Sequence, residues 1–155
     1  MSVVRELSAG DVFEVDLPMR WADSDMLRHM NNTVYFRLME EARIHMLAAA
    51  GQDAVGDVVN VVVHCSCDFF RPITYPATVR VKLIVEKVGR TSLTQINELH
   101  VVQDLASGPY AVGKTVLVRM DGLENRPTPW PAEALLALGA VCSPATPSEQ
   151  DPTVL

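Results

Sequence analysis

Between positions 23 and 32 the chain places Asp23, Asp25, His29, Asn31 and Asn32, and an amphipathic stretch with helical spacing follows at once. Carboxylates and an imidazole are the usual instruments of acid–base and nucleophilic chemistry. Asn31 or Asn32 can cap the helix, because a short amide accepts from the orphan backbone N–H groups of a first turn. That end also carries a partial positive charge and free donors, which suit a developing oxyanion. Asp25 lies seven residues before Asn32 in sequence and can stand near the same end. A carboxylate beside such a dipole suits acyl transfer, either by attacking a thioester carbonyl or by activating a water. Each residue also has a plainer use. An aspartate before a helix commonly caps or turns the chain, a lone histidine there is commonly a hydrogen-bonded turn residue, and Glu40 and Glu41 read as solvated helix charges, with Arg43 able to pair with Glu40. Spacing alone does not choose between these uses.

The elements that must hold the cluster are legible around it. "DVFEVDLPMRW" alternates apolar and polar residues and predicts a first strand. A helix is predicted from about Asn32 to Ala50, stopping at Gly51, since glycine accepts the left-handed conformation of a helix end. Tyr35, Leu38, Met39, Ala42, Met46 and Ala49 form its apolar stripe, with Arg37, Glu40, Glu41 and Arg43 mostly elsewhere around it. Four β-branched segments follow, "VVNVVVHCSCDFF", "TVRVKLIVEKV", "TSLTQINELHVVQD" and "YAVGKTVLVRMD", separated by "RPITYPA", "VGR" and "ASGP". The tight "VGR" break predicts an antiparallel hairpin. One long helix with a mostly antiparallel sheet makes an α+β domain. It is expected over residues 1–123, with 124–155 a Pro-rich extension that holds a short helix, Pro131 in its first turn, and a disordered tail from Cys142.

Composition excludes several classes. A chain of 155 residues, 48% hydrophobic, can bury one good core. Its net charge of −6, with no cluster of Lys or Arg, argues against a nucleic-acid partner. "VVNVVV" is far too short to span a bilayer, and "MSVVRELSAGDVFEV" lacks the apolar core of a secretion signal, so no membrane role and a cytoplasmic location are expected. Cys65, Cys67 and Cys142 have no framework spacing; they read as small buried hydrophobes, with no further ligands nearby to complete a metal site.

The run "RWADSDMLRHMNNTVYFRLMEEAR" resembles the signature of hotdog-fold acyl-CoA thioesterases of the 4-hydroxybenzoyl-CoA thioesterase type. That pattern joins an aromatic residue, Asp-x-Asp, a short spacer, His, a small apolar residue, Asn-Asn, Tyr and a helix. The likeness extends to "VVVHCSCDFFRP", and the order of elements agrees through about Asp121. It implies a long central helix wrapped by an antiparallel sheet of about five strands. Many relatives have glycine where this chain has Arg28, a departure that bears on the loop and the pocket.

The resemblance implies that Asp25 is the catalytic carboxylate, as nucleophile or general base, and that the backbone N–H at Asn32 polarises the thioester carbonyl. Asp23, His29 and Asn31 would hold the loop, with His29 at the substrate. Domains of this type pair, as homodimers or homotetramers, with sites at subunit seams. His64, Ser66 and Asp68 alternate on one strand face, and His64 is the expected pocket residue. The phosphates of coenzyme A need cations; Arg90 in the "KVGRTS" turn is the expected contact, with Lys87 and Lys114 as alternatives and Arg71 anchoring a strand end. The implied reaction is hydrolysis of an acyl-CoA thioester with no metal or other cofactor, coenzyme A being part of the substrate. Alternatives are an acyl-carrier-protein thioesterase and a non-catalytic acyl-CoA-binding protein. A hydratase fits poorly, because its Asp and His are separated by four intervening residues. Here Asp25 and His29 are separated by three residues and Asp23 and His29 by five.

Overall fold

The computed structural model describes residues 3–52 and 56–144. Strand β1 (Val12–Pro18) leads through a one-turn 3-10 segment (Trp21–Asp23) and a short loop into helix α1 (Asn32–Ala49). Strands β2 (Val58–Phe69), β3 (Thr78–Val88), β4 (Ser92–Val101) and β5 (Ala111–Asp121) follow, then a two-residue strand β6 (Arg126–Pro127) and helix α2 (Ala132–Val141). The sheet is antiparallel in the order β1-β3-β4-β5-β2, with β6 against β5. The β3–β4 hairpin is the one that the "VGR" turn predicts.

Period-two alternation gives the sheet one apolar face. Val79, Val81, Leu83 and Val85 of β3, Leu93 and Leu99 of β4, and Ala111 and Leu117 of β5 are all buried. Against them α1 lays Tyr35, Leu38, Met39, Ala42, Met46 and Leu47. Three polar residues share this interior: Asn97 donates to the Thr115 hydroxyl at 2.7 Å, and the Gln95 amide meets the Met46 sulfur at 3.4 Å. Gly113 lets the helix come this close, since a Cβ there would meet the Met39 sulfur and the Ser66 carbonyl. Gly51, at φ +66°, ends the helix as its type predicts.

Several expectations shift. Ala49 is exposed and Leu47 takes its place in the core, while Arg43 is buried. Burial pushes the Arg43 pKa down, against the attraction of Glu40, and no ion pair joins the two among the described residues. The first strand stops at Pro18, so Trp21 lies outside it. The fourth stops at Val101, where two short 3-10 turns (Val102–Ser107) begin. Cys65 is exposed and Cys67 half-buried, because β2 is the edge of the sheet; only Cys142 is enclosed. Pro131 precedes α2 as its cap residue. Of the expected tail, Cys142 is buried and Ser143 bridges to Val12; residues 145–155 lie outside those described.

The two ends of the described chain are tied together. The Leu7 N–H donates to the Leu135 carbonyl at 2.9 Å, Val12 and Ser143 exchange backbone bonds, and Gly139 abuts the backbone of residues 5–7. Asp11, buried beside them, accepts from the Ser8 N–H and pairs with Arg5.

Candidate active site

Asp23 is the anchor of the loop before α1. It is 3% exposed. Its Oδ2 accepts from the Arg20 N–H at 2.8 Å and from Arg37 Nη2 at 2.8 Å, and Arg20 Nη2 lies 3.3 Å from Oδ1. Its carbonyl accepts from the Asn31 N–H at 2.9 Å. One buried carboxylate thus joins the exit of β1 to the second turn of α1, and a buried charge is stable only when paired and hydrogen-bonded in this way.

Asp25 has a different setting. Ser24 and Met30 bridge as the base of a miniature hairpin. The Asp25 N–H donates to the His29 carbonyl and the Arg28 N–H to the Asp25 carbonyl, each at 3.0 Å. Oδ1 of Asp25 accepts from the Leu27 N–H at 2.8 Å, the side-chain turn that aspartate favours. No described residue bonds to Oδ2, so one oxygen is oriented and the other is available. The side chain is exposed and lines a cleft of about 820 Å³ with Trp21, Ala22, Ser24, Met26, Arg28 and Tyr75.

At the helix head Asn31 is the cap. Its Oδ1 accepts from the Thr33 N–H at 2.9 Å and from the Thr33 hydroxyl at 2.7 Å, and its carbonyl takes the Val34 N–H. The Asn32 N–H has no acceptor among the described residues. Asn32 and His29 line a smaller cavity of about 230 Å³ with Met30, Tyr35, Phe69, Phe70, Arg71 and Pro72. Tyr35 packs edge-on against Phe69 at 4.8 Å, and its burial raises the phenol pKa. The Ile73 carbonyl, accepting from the Met30 N–H at 2.7 Å, holds the loop against the chain after β2.

The structure therefore brings Asp25, His29 and Asn32 into one loop and helix head, with Asp25 on one cleft and the other two on the next. It does not bring His64 or Arg90 there. His64 stands exposed on β2 opposite Val116, on the sheet face away from α1, since its neighbour Cys65 pairs with the buried Thr115. Arg90 is exposed in the β3–β4 turn, its carbonyl accepting from the Trp130 N–H. The eleven residues of β3 put that turn roughly 33 Å from the Asp25 end of the sheet, at about 3.3 Å per residue. Lys114 pairs with Glu86 at 3.1 Å, and Arg71 stacks on Tyr110 and donates to the Ser107 and Pro109 carbonyls, a strand-end anchor. Sequence reasoning missed Arg37 and Tyr75, which reach the site from distant positions with no local signal. It read Trp21 as the end of the first strand and the aromatic of the signature, not as a cleft wall. Among the described residues no group of three or more His, Cys, Asp or Glu side chains could hold a metal, and no helix is long and apolar enough to cross a membrane.

A family model, the thioesterase-like superfamily, matches residues 19–138, which span the whole of this loop, both cavities and most of α2. The chain belongs to that superfamily. A solved structure from Pseudomonas aeruginosa, described as a candidate thioesterase, is 35% identical over 78% of this chain and 93% of its own, with a TM-score of 0.74. The YsmA protein of Bacillus subtilis is 27% identical, covering 74% of this chain and 77% of its own. A 1,4-dihydroxy-2-naphthoyl-CoA thioesterase from Synechocystis is 20% identical over 82% of this chain and 95% of its own, and its TM-score of 0.72 shows the shared fold. The fold is the hotdog, with a curled antiparallel sheet around α1; the sequence expectation of about five strands omits only the short β6. Membership places the protein's chemistry within thioester hydrolysis.

Proposed function

We propose that the protein hydrolyses acyl-CoA thioesters to a free acid and coenzyme A, with Asp25 supplying the reacting carboxylate and the Asn32 N–H polarising the carbonyl. The observation that carries this reading is the state of the helix head. Asn31 satisfies the Thr33 and Val34 donors, and among the described residues the Asn32 N–H has no acceptor and one oxygen of Asp25, a short loop away, has no donor. Such a donor gains most when charge develops on the carbonyl oxygen in the transition state. The Asp25 oxygen attacks the carbonyl carbon to give an acyl anhydride that water then cleaves, or it takes a proton from the water that attacks. In either route the thiolate of coenzyme A leaves and is protonated. The activity named for the Synechocystis relative, on a CoA thioester, supports coenzyme A as the carrier.

A second copy of the chain completes the arrangement. β2 is a twelve-residue edge strand carrying exposed Val61, Val62, Val63 and Phe69, with exposed Phe70 just beyond it, and an unpaired apolar edge invites another strand. Phe69 of β2 lies at the Asp25 end of the sheet and Val58 at the β3–β4 turn end. Two β2 strands paired antiparallel about a two-fold axis would bring the Arg90 end of one copy toward the Asp25 end of the other. Arg90 would then meet the nucleotide phosphates across the seam, with His64 on the seam strand itself.

The test is thiol release from a panel of acyl-CoAs. Wild type is expected to turn over at least one, and Asp25→Asn to lose on the order of 10²–10⁴-fold in kcat. Binding without thiol release would leave a non-catalytic binding protein. Release only from acyl carrier protein would move the carrier from coenzyme A to protein.

A further inference from the structure

The turn that carries Asp25 has an arginine where its backbone favours glycine. A three-residue hairpin loop of this kind closes with one residue in the left-handed region. Here that residue is Arg28, at φ +61°, a conformation unfavourable for any residue with a Cβ. Its side chain reaches the same cleft as Asp25. Among the described residues no carboxylate lies within ion-pairing distance of its guanidinium. The other large side chains lining the cleft are Trp21, Met26 and Tyr75, all exposed. Arg28 is exposed at the cleft mouth, and a guanidinium beside apolar side chains with no partner among the described residues can meet an anion that a ligand brings.

An acyl-CoA has two places for that anion: its phosphates, or a carboxylate on the acyl group. Arg28 and Asp25 are the ends of one four-residue turn, with Cα atoms within about 7 Å. When the thioester carbon lies on Asp25, the pantetheine arm holds the phosphates beyond an arginine so placed, whereas a short acyl group stays within its reach. We propose that Arg28 is a specificity-determining residue that binds a carboxylate at the far end of the acyl group, so that the cleft takes half-thioesters of dicarboxylic acids. This rests on Asp25 being the reacting carboxylate.

The test compares glutaryl-CoA with pentanoyl-CoA, and the corresponding S-acyl pantetheines, on wild type, Arg28→Gly and Arg28→Lys. Arg28→Gly suits the backbone and is expected to leave Tm unchanged or raised. Wild type should prefer glutaryl-CoA by about tenfold in kcat/KM, as expected for a charge-assisted hydrogen bond. Arg28→Gly should abolish that preference through KM, bringing the ratio of the two kcat/KM values to about one, Arg28→Lys should restore part of it, and the pantetheine thioesters should show the same pattern. If Arg28→Gly weakens both CoA substrates equally and neither pantetheine thioester, the anion is a phosphate and the proposal falls. An unchanged preference in Arg28→Gly also overturns it. If wild type hydrolyses none of these, Asp25 is judged separately on the wider acyl-CoA panel, and calorimetric binding of the glutaryl and pentanoyl thioether analogues decides Arg28 by the same tenfold criterion.

Discussion

The two aspartates of the loop should respond to substitution in opposite ways. Asp23→Ala removes the acceptor of two 2.8 Å hydrogen bonds, one from the Arg20 N–H and one from the Arg37 guanidinium, and of a longer contact to the Arg20 guanidinium. Hydrogen bonds to a charged group contribute about 1.5–3 kcal/mol each. The Arg20 and Arg37 side chains are 65% and 35% exposed, so water recovers part of what they lose. The expected net loss is about 3 kcal/mol. At about 3 °C per kcal/mol for a chain of this size, Tm should fall by about 9 °C. Asp25→Asn, at an exposed side chain with one local hydrogen bond, should move Tm by about 1 °C or less. Thermal unfolding by circular dichroism, with urea titration to check that the m-value is unchanged, reads both. Asp23→Ala within about 2 °C of wild type, or Asp25→Asn falling as far as Asp23→Ala, would refute the assignment of anchoring to one residue and chemistry to the other.

Two further outcomes test other parts of the structure. Gly139→Ala would drive a Cβ into the Arg5 carbonyl and the backbone of Glu6 and Leu7, so despite alanine's better helix propensity it should destabilise by about 1–3 kcal/mol, read by the same unfolding curves. Burial pushes the Cys67 and Cys142 thiols up to about 11. An unfolded thiol ionises nearer 8.5, so the folded state holds more protons between these values. Stability should be level below about pH 8.5 and decline as pH rises toward 11, and Cys142→Ala should flatten part of that decline in urea midpoints measured across the range.

Much of the frame was written in local sequence. The stripe from Tyr35 to Met46, the Asn31 cap and the Gly51 stop are local signals, and they place α1 to within a residue. Local signals fail where position in the sheet decides. Cys65 reads as buried by its type, yet β2 is the edge strand, and strand order is a property of the assembled sheet. Arg43 reads as a charge off the apolar stripe, able to pair with Glu40, but its long apolar stem lets it lie within the interior. Ala49 keeps the helical period, but at this end of α1 Leu47 and Ala50 take the buried positions, so the period alone does not bury it. Within the site, Asp23 and Asp25 look alike in a string of letters. They part company because Arg37, fourteen residues beyond Asp23, folds back onto one of them. Only the resemblance points to Asp25 over Asp23 as the reacting group, and the departure at Arg28 falls on a left-handed turn position that its letter does not announce.

The fastening of residues 5–12 to α2 and Ser143 makes the described backbone nearly a closed loop, its two ends held by direct hydrogen bonds. Peeling either end away would strip the other of its partners, so the pair should open as one cooperative unit. The same proximity makes the molecule a natural subject for circular permutation. A short linker could join the described ends, near residues 5 and 143, and the chain could be reopened at the exposed turn near Arg90, far from the cleft, with the hydrogen-bonded order of strands kept intact.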